Sequence, residues 1–285
     1  MKPHPFDNDF GYLKVSVVAP GVVMVQMERP RKRNAMNSRL WKEIGIAFSR
    51  LGQTGDCRCI ILSGVGKAFS AGIDVTDSKF FSFNDADTTT DTARRGIAFL
   101  PQILDMQKCF TAVENCPVPV IAAIHGSCIG AGIDLACCCD IRLCAPGAVF
   151  SVREVKIGLA ADIGTLQRLP KISGNDSRVR ELCYTGENFG HQEALRIGFV
   201  SRVSQDLLKD AISLGTSIAA NSPVAVMGTK QSLLYSRDHS VQEGLEHVAR
   251  HNALALMTDD IPSAFMASSR KEAISFPNLL PFSKL

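Results

Sequence analysis

The chain has 285 residues, 46% of them hydrophobic and 21% charged, enough to bury a full core as one large domain or as one domain with an appendage. Its 31 basic and 28 acidic residues leave a formal charge of +3, which argues against nucleic acid as a partner, and no apolar run approaches the roughly 18 residues of a membrane span. The ten cysteines, three of them consecutive at Cys137, Cys138 and Cys139, match no zinc spacing and read mostly as reduced, buried small residues.

The opening ten residues lack the apolar core of a signal peptide. Two β-rich runs follow, residues 13–18 and 22–27, separated by Ala19-Pro20-Gly21 as in a hairpin. A polar loop over 29–37 leads to a helix capped by Asn37 or Ser38 and running through Leu51, with Leu40, Trp41, Ile44, Phe48 and Leu51 on its apolar face. Residues 59–63 form a short buried strand, followed by a glycine-spaced loop over 64–74. The Asp- and Thr-rich stretch 77–95 reads as a mobile surface segment, and 97–115 as an amphipathic helix ended by Pro117 and Pro119.

Residues 118–124 form the central strand, which ends at His125-Gly126. A second glycine-spaced turn, Gly126, Gly130 and Gly132, opens a small apolar segment of helical character that carries Asp134. Turn and strand residues then bring Glu154, and Asp162 stands just ahead of Gly164. Strands alternating with helices imply an α/β class. After Val203 the β signals stop, and 207–220, 223–236, 241–257 and 261–274 all read as helices. The division expected is a catalytic core over 1–205 and a helical region over 206–285.

Asp134, Glu154 and Asp162 sit in otherwise apolar sequence, and carboxylates are rarely buried without a partner or a task. Two glycine-spaced loops after buried strands can present free backbone N–H groups to an oxyanion. Together they suggest proton transfer at a carbon next to a carbonyl. The alternative is that the glycines only shape turns and the acids only cap helices.

The strings Glu28-Arg29-Pro30, Arg33-Asn34-Ala35-Met36, Ala68-Phe69-Ser70-Ala71-Gly72-Ile73-Asp74, His125-Gly126 through Gly130-Ala131-Gly132, Cys139-Asp140-Ile141-Arg142 and Gly164-Thr165-Leu166-Gln167-Arg168-Leu169-Pro170 resemble the enoyl-CoA hydratase/isomerase (crotonase) superfamily. The likeness runs from about residue 13 to 205, and the helical tail also suits it. It implies a spiral of ββα units with a C-terminal helical trimerisation region, assembled as a homotrimer or homohexamer. It also implies an acyl-CoA thioester substrate, with coenzyme A part of that substrate and no further cofactor. The oxyanion-hole donors fall on Ile73 and Ala131. The second position is usually Gly in the superfamily, and Ala preserves the N–H if its φ stays negative. Ala71, Gly72, Asp74, Val75 and Lys67 fall on substrate-binding positions. Arg31 to Arg33 and Lys67 are candidates for the coenzyme A phosphates or simply solvated cations.

Within the superfamily, simple hydratases resemble this pattern with Glu at 134 and 154 and Gly at 162. Asp134 with Glu154 and Asp162 instead resembles the dienoyl-CoA isomerase branch. That resemblance implies conversion of a 3,5-dienoyl to a 2,4-dienoyl thioester in fatty-acid β-oxidation. Glu154 is then the base at C2, Asp162 the acid at C6, and Asp134 a third acid that polarises or orients one of them. A hydratase, in which Glu154 and Asp134 activate water, and a non-catalytic binding member are the alternatives. Asp162 as a helix cap and Asp74 as a loop-shaping residue are the structural ones. His125 with Ser127 lacks a G-x-S-x-G elbow and reads as a packed histidine, and His247 with His251 as a solvated helix face. Ser283-Lys284-Leu285 reads as an address for a peroxisomal import receptor, and so implies a peroxisomal or related microbody matrix.

Overall fold

The computed structural model describes residues 2–80 and 90–282. Its strands are β1 (Lys2–Pro3), β2 (Leu13–Ala19), β3 (Val22–Met27), β4 (Cys59–Gly64), β5 (Val120–Ile124), β6 (Ser127–Ile129), β7 (Ile141–Cys144), β8 (Val149–Ser151), β9 (Phe189–Gly190) and β10 (Arg202–Val203). Seven of them form one sheet in the order β1-β2-β3-β4-β5-β7-β10, and β6-β8-β9 form a second. The hairpin β2–β3 is antiparallel with a register shift between Val17 and Ala19, whereas β3-β4-β5-β7-β10 run parallel.

Parallel strands covered on both faces read as unbroken apolar runs, and alternate residues of these strands enter two separate cores. Val23, Val25, Ile60, Leu62, Val120, Ala122 and Ile124 join the larger cluster. Val22, Met24, Cys59, Ile61, Ile121 and Ala123 join a smaller one, closed by Leu207, Ala211 and Ala219. All ten cysteines are free and nine are buried, several within these clusters, as the sequence suggested.

The helices are α1 (Ser38–Leu51), α2 (Thr92–Glu114), α3 (Ala131–Cys137), α4 (Thr165–Ile172), α5 (Asp176–Thr185), α6 (His191–Arg196), α7 (Leu207–Ala219), α8 (Pro223–Ser236), α9 (Val241–Ala255) and α10 (Asp260–Arg270). Asn37 caps α1 by accepting from Leu40 N, and the five expected apolar residues are buried. Helix α2 starts five residues before the sequence suggested, because the Asp91 side chain caps it at Arg94 N and its polar first turns lie at the surface. Of the segment expected to be mobile, residues 81–89 lie outside the described residues.

The tail also departs from expectation. Helix α10 ends at Arg270, where Lys271 takes φ +54°, and the chain returns to the core without further regular helix to Leu280. Arg58 bonds the Phe276 carbonyl and the Asn278 side chain, and Phe282 N donates to Gln53 O at 3.1 Å. His247 and His251 are half-buried rather than solvated. His247 stacks on Tyr235 at 4.1 Å, and His251 lies against Gly228 of α8. His125 is held as expected, with Nε2 3.0 Å from Gly66 O.

Candidate active site

Two loops leave the C-terminal ends of neighbouring parallel strands, where α/β sheets place their ligands. The first follows β4. It leads into a bridge between Met36 and Ile73, with a 3-10 turn at Ser78–Phe80 beyond. It is clamped from both sides. Ala71 N donates to Arg33 O, Met36 N to Gly72 O, and Asp74 N to Met36 O, all between 2.7 and 2.9 Å. On the other side Phe69 N donates to His125 O and Ser70 N to Ser127 O. Buried Asn34 adds bonds from its side-chain nitrogen to the carbonyls of Val65 and Ala68. Apart from its place in a family string, nothing in the residues around Asn34 marks that role.

The second loop follows β5 through β6 into α3. Gly72, with φ +95°, brings the two loops together: a Cβ there would meet Ile129 O at 2.8 Å and Ala131 N at 3.7 Å. Ile73 N and Ala131 N therefore approach the same space, and among the described residues no oxygen accepts from either. Ala131 opens α3 and is absent from the residues with positive φ, so the Ala in place of Gly keeps its donor.

These loops border a cavity of about 140 Å³. Its lining includes Asp134, Glu154 and Asp162, together with Ala71, Gly72, Ile73, Val75 and Ala131. Trp41 of α1 and Met106 of α2 complete an apolar side with Ile157, Leu159 and Ile163. Trp41 is fixed by stacking on Phe110 at 4.3 Å and by donating to Met106 O at 2.9 Å. Neither Trp41 nor Met106 was distinguishable from ordinary core by spacing. Lys67 and Asp74 do not line the cavity. Asp74 faces Arg29 at 3.0 Å and Thr76, and hydrogen bonding from Thr76, opposed by burial and aided by Arg29, holds its carboxyl at about 2.

The three acids differ in setting. Glu154 begins a 3-10 turn at Glu154–Ile157; its Oε1 lies against Gly130, where a Cβ would stand 3.2 Å away. Its Oε2 is buried without a hydrogen-bond partner among the described residues. Burial, with Asp134 and Asp162 nearby, pushes the Glu154 carboxyl up to about 7. Asp134 is 2% exposed and accepts from Thr165 N at 2.6 Å; burial pushes it up to about 6 against that bond. Burial also raises Asp162, the most exposed of the three. Asp162 does not cap α4, whose N-cap is Gly164 with no side-chain bond. The acid serving that helix start is Asp134, 31 residues away in sequence. The arrangement offers two main-chain donors for a developing oxyanion and carboxyls able to lose and return protons near neutral pH.

Residues 18–261 match the enoyl-CoA hydratase/isomerase family. Over 280 residues the chain is 44% identical to a mouse protein named mitochondrial Delta(3,5)-Delta(2,4)-dienoyl-CoA isomerase, covering 96% of this chain and 85% of that one. It is 41% identical over 256 residues to the peroxisomal protein of that name from Arabidopsis thaliana, covering 89% and 91%. Among solved structures, an enoyl-CoA hydratase from Bacillus anthracis superposes with a TM-score of 0.83 at 27% identity, over 93% of this chain and 99% of that one.

Proposed function

The chain belongs to the enoyl-CoA hydratase/isomerase family, and from that premise we propose that it isomerises 3,5-dienoyl-CoA thioesters to their 2,4-isomers in unsaturated fatty-acid β-oxidation. The observation that carries the reading is the single cavity shared by Glu154, Asp162 and the unpartnered N–H groups of Ile73 and Ala131. Glu154, with its free buried oxygen and a carboxyl near neutrality, takes the proton from C2. The electron pair moves toward the thioester oxygen, where Ile73 N–H and Ala131 N–H hold it. It then returns through the conjugated chain as Asp162, whose carboxyl burial shifts upward, delivers a proton to C6. One proton leaves and one arrives, so the step requires no metal or redox group. Coenzyme A enters only as part of the substrate.

A hydratase reading would leave Asp134 only Oδ2 with which to activate water, because its Oδ1 accepts from Thr165 N–H. Incubation with a 3,5-dienoyl-CoA is expected to generate the conjugated 2,4-dienoyl chromophore, and Asp162→Asn to abolish it. Hydration of a 2-enoyl-CoA in place of that chromophore would refute the proposal.

The C-terminal helical region exposes Leu233, Leu245, Leu254, Met257 and Phe265, which suits burial in a homotrimer or homohexamer. Sedimentation would give the stoichiometry. Ser283-Lys284-Leu285 lies outside the described residues; as a peroxisomal address it would direct the enzyme to that matrix, where one relative is named and others are named mitochondrial. Relocalisation on deleting the tripeptide tests this.

A further inference from the structure

Asp162 stands on a short irregular segment between the turn at Glu154–Ile157 and α4, yet the proposed chemistry requires its carboxyl to enter the cavity in one direction. Something other than secondary structure must fix that segment. Gln107 of α2 donates to the Asp162 carbonyl at 2.6 Å. Arg168 of α4 reaches back with Nη1 to the Ile163 carbonyl at 3.4 Å. Gly164 takes φ +139°, and a Cβ there would stand 1.8 Å from Arg168 Nη1, so the guanidinium is seated directly on that backbone.

The guanidinium is itself held from its far side. Its Nε and Nη2 donate to the two oxygens of Glu114 at 3.0 and 2.8 Å, and Nη2 lies 3.4 Å from Thr111 Oγ1. The pair is nearly buried, with side-chain exposures of 12% and 8%, and Arg237, the C-cap of α8, also bonds Glu114. A forked, desolvated Arg–carboxylate pair is directional in a way that Lys cannot reproduce. Helix α2 thus supplies Gln107, Thr111 and Glu114 as a rail along which residues 162–164 are fastened, and the same helix gives Met106 to the cavity wall.

We propose that Arg168, braced by Glu114, is a positioning residue for proton delivery at C6: it fixes the 163–164 backbone and so aims the Asp162 carboxyl at the substrate. This inference rests on the reading of Asp162 as the second proton carrier. Arg168 touches neither cavity nor substrate, so its removal spares the first half of the reaction, which needs Glu154 and the two main-chain donors. A protein that merely loses stability would lose both halves together.

The experiment compares Arg168→Lys and Gln107→Leu with wild type by two readouts on a 3,5-dienoyl-CoA: formation of the 2,4-dienoyl chromophore, and exchange of the C2 hydrogen with D2O. Arg168→Lys is expected to lower kcat for isomerisation tenfold or more with KM within about threefold, while C2 exchange per folded enzyme is retained. Gln107→Leu, at a half-buried helix position that tolerates the change, is expected to give the same split at a few-fold, and it decides the matter if Arg168→Lys fails to fold. Equal losses in both readouts, or unchanged isomerisation in the variants, would overturn the positioning role. Asp162→Asn run alongside separates the layers: if it isomerises normally, the reading of Asp162 is what has failed.

Discussion

Glu114 and Glu154 are the same residue buried to nearly the same depth, 6% and 8% exposed, in opposite surroundings. Glu114 lies between two guanidiniums; burial pushes its carboxyl up, but the bonds from Arg168 and Arg237 outweigh this and hold it below the ordinary range. Glu154 has Asp134 and Asp162 nearby and, among the described residues, one oxygen with no partner, and its carboxyl is raised to about 7. One glutamate is a fixed charge in a frame; the other is a proton acceptor held near its switching point. The guanidiniums of Arg168 and Arg237 are committed to Glu114 in the frame, and neither lines the cavity.

The same substitution should therefore act in opposite directions at the two places. Glu154→Gln is expected to lower kcat by roughly 10²–10⁴, the usual worth of a positioned base, in the dienoyl-CoA assay. Ala131→Pro is the next largest test. Proline is tolerated at the first position of a helix, which Ala131 occupies in α3, so the change removes one oxyanion donor with little harm to the fold. A loss of roughly 10²–10³ in kcat is expected, with an unchanged thermal transition.

On stability the signs separate. Glu114→Gln leaves Arg168 and Arg237 under-neutralised in a site with side-chain exposures of 12% and 28%, and should cost about 3 kcal/mol in a denaturant titration. Glu154→Gln should stabilise. Its folded carboxyl titrates near 7 against 4.5 ordinarily, so the folded wild type retains a proton that the unfolded chain has lost. The wild type therefore loses stability as pH rises from about 4.5 to about 7, and Gln does not. At pH 8 the variant should be more stable by about 1–3 kcal/mol, and at pH 4 the two should agree. Identical signs for the two variants would break the comparison.

The smallest effect concerns the pH profile. kcat/KM should rise with pH through about 7 as Glu154 ionises. Asp134→Asn preserves an acceptor for Thr165 N but removes a neighbouring negative charge, so this limb should move to lower pH. A shift the other way would contradict the shared electrostatics of the acids.

Local patterns made much of this legible. The cap at Asn37, the hairpin at Gly21, both glycine loops and all three cavity acids could be named from residue type and spacing, because each leaves a short-range signature. What escaped was long-range pairing. Nothing near Asp134 announces that its partner is Thr165, nor does Arg168 show that it answers to Glu114, 54 residues earlier. The start of α2 was hidden because exposed helical turns carry no apolar period. The returning tail was hidden because its anchor, Arg58, lies 218 residues before Phe276. Resemblance to a family gave Ile73 and Ala131; spacing alone gave only loops with free N–H groups.

The central claim is that two different carboxyls handle the two protons. A 3,5-dienoyl-CoA carrying deuterium at C2, turned over in ordinary water, tests it directly by mass spectrometry and NMR of the product. Separate acids predict that C6 receives hydrogen from solvent through Asp162 and that the one deuterium removed from C2 passes to solvent. Delivery of the C2 deuterium to C6 would mean that Glu154 alone carries the proton along the chain, and would contradict the assignment.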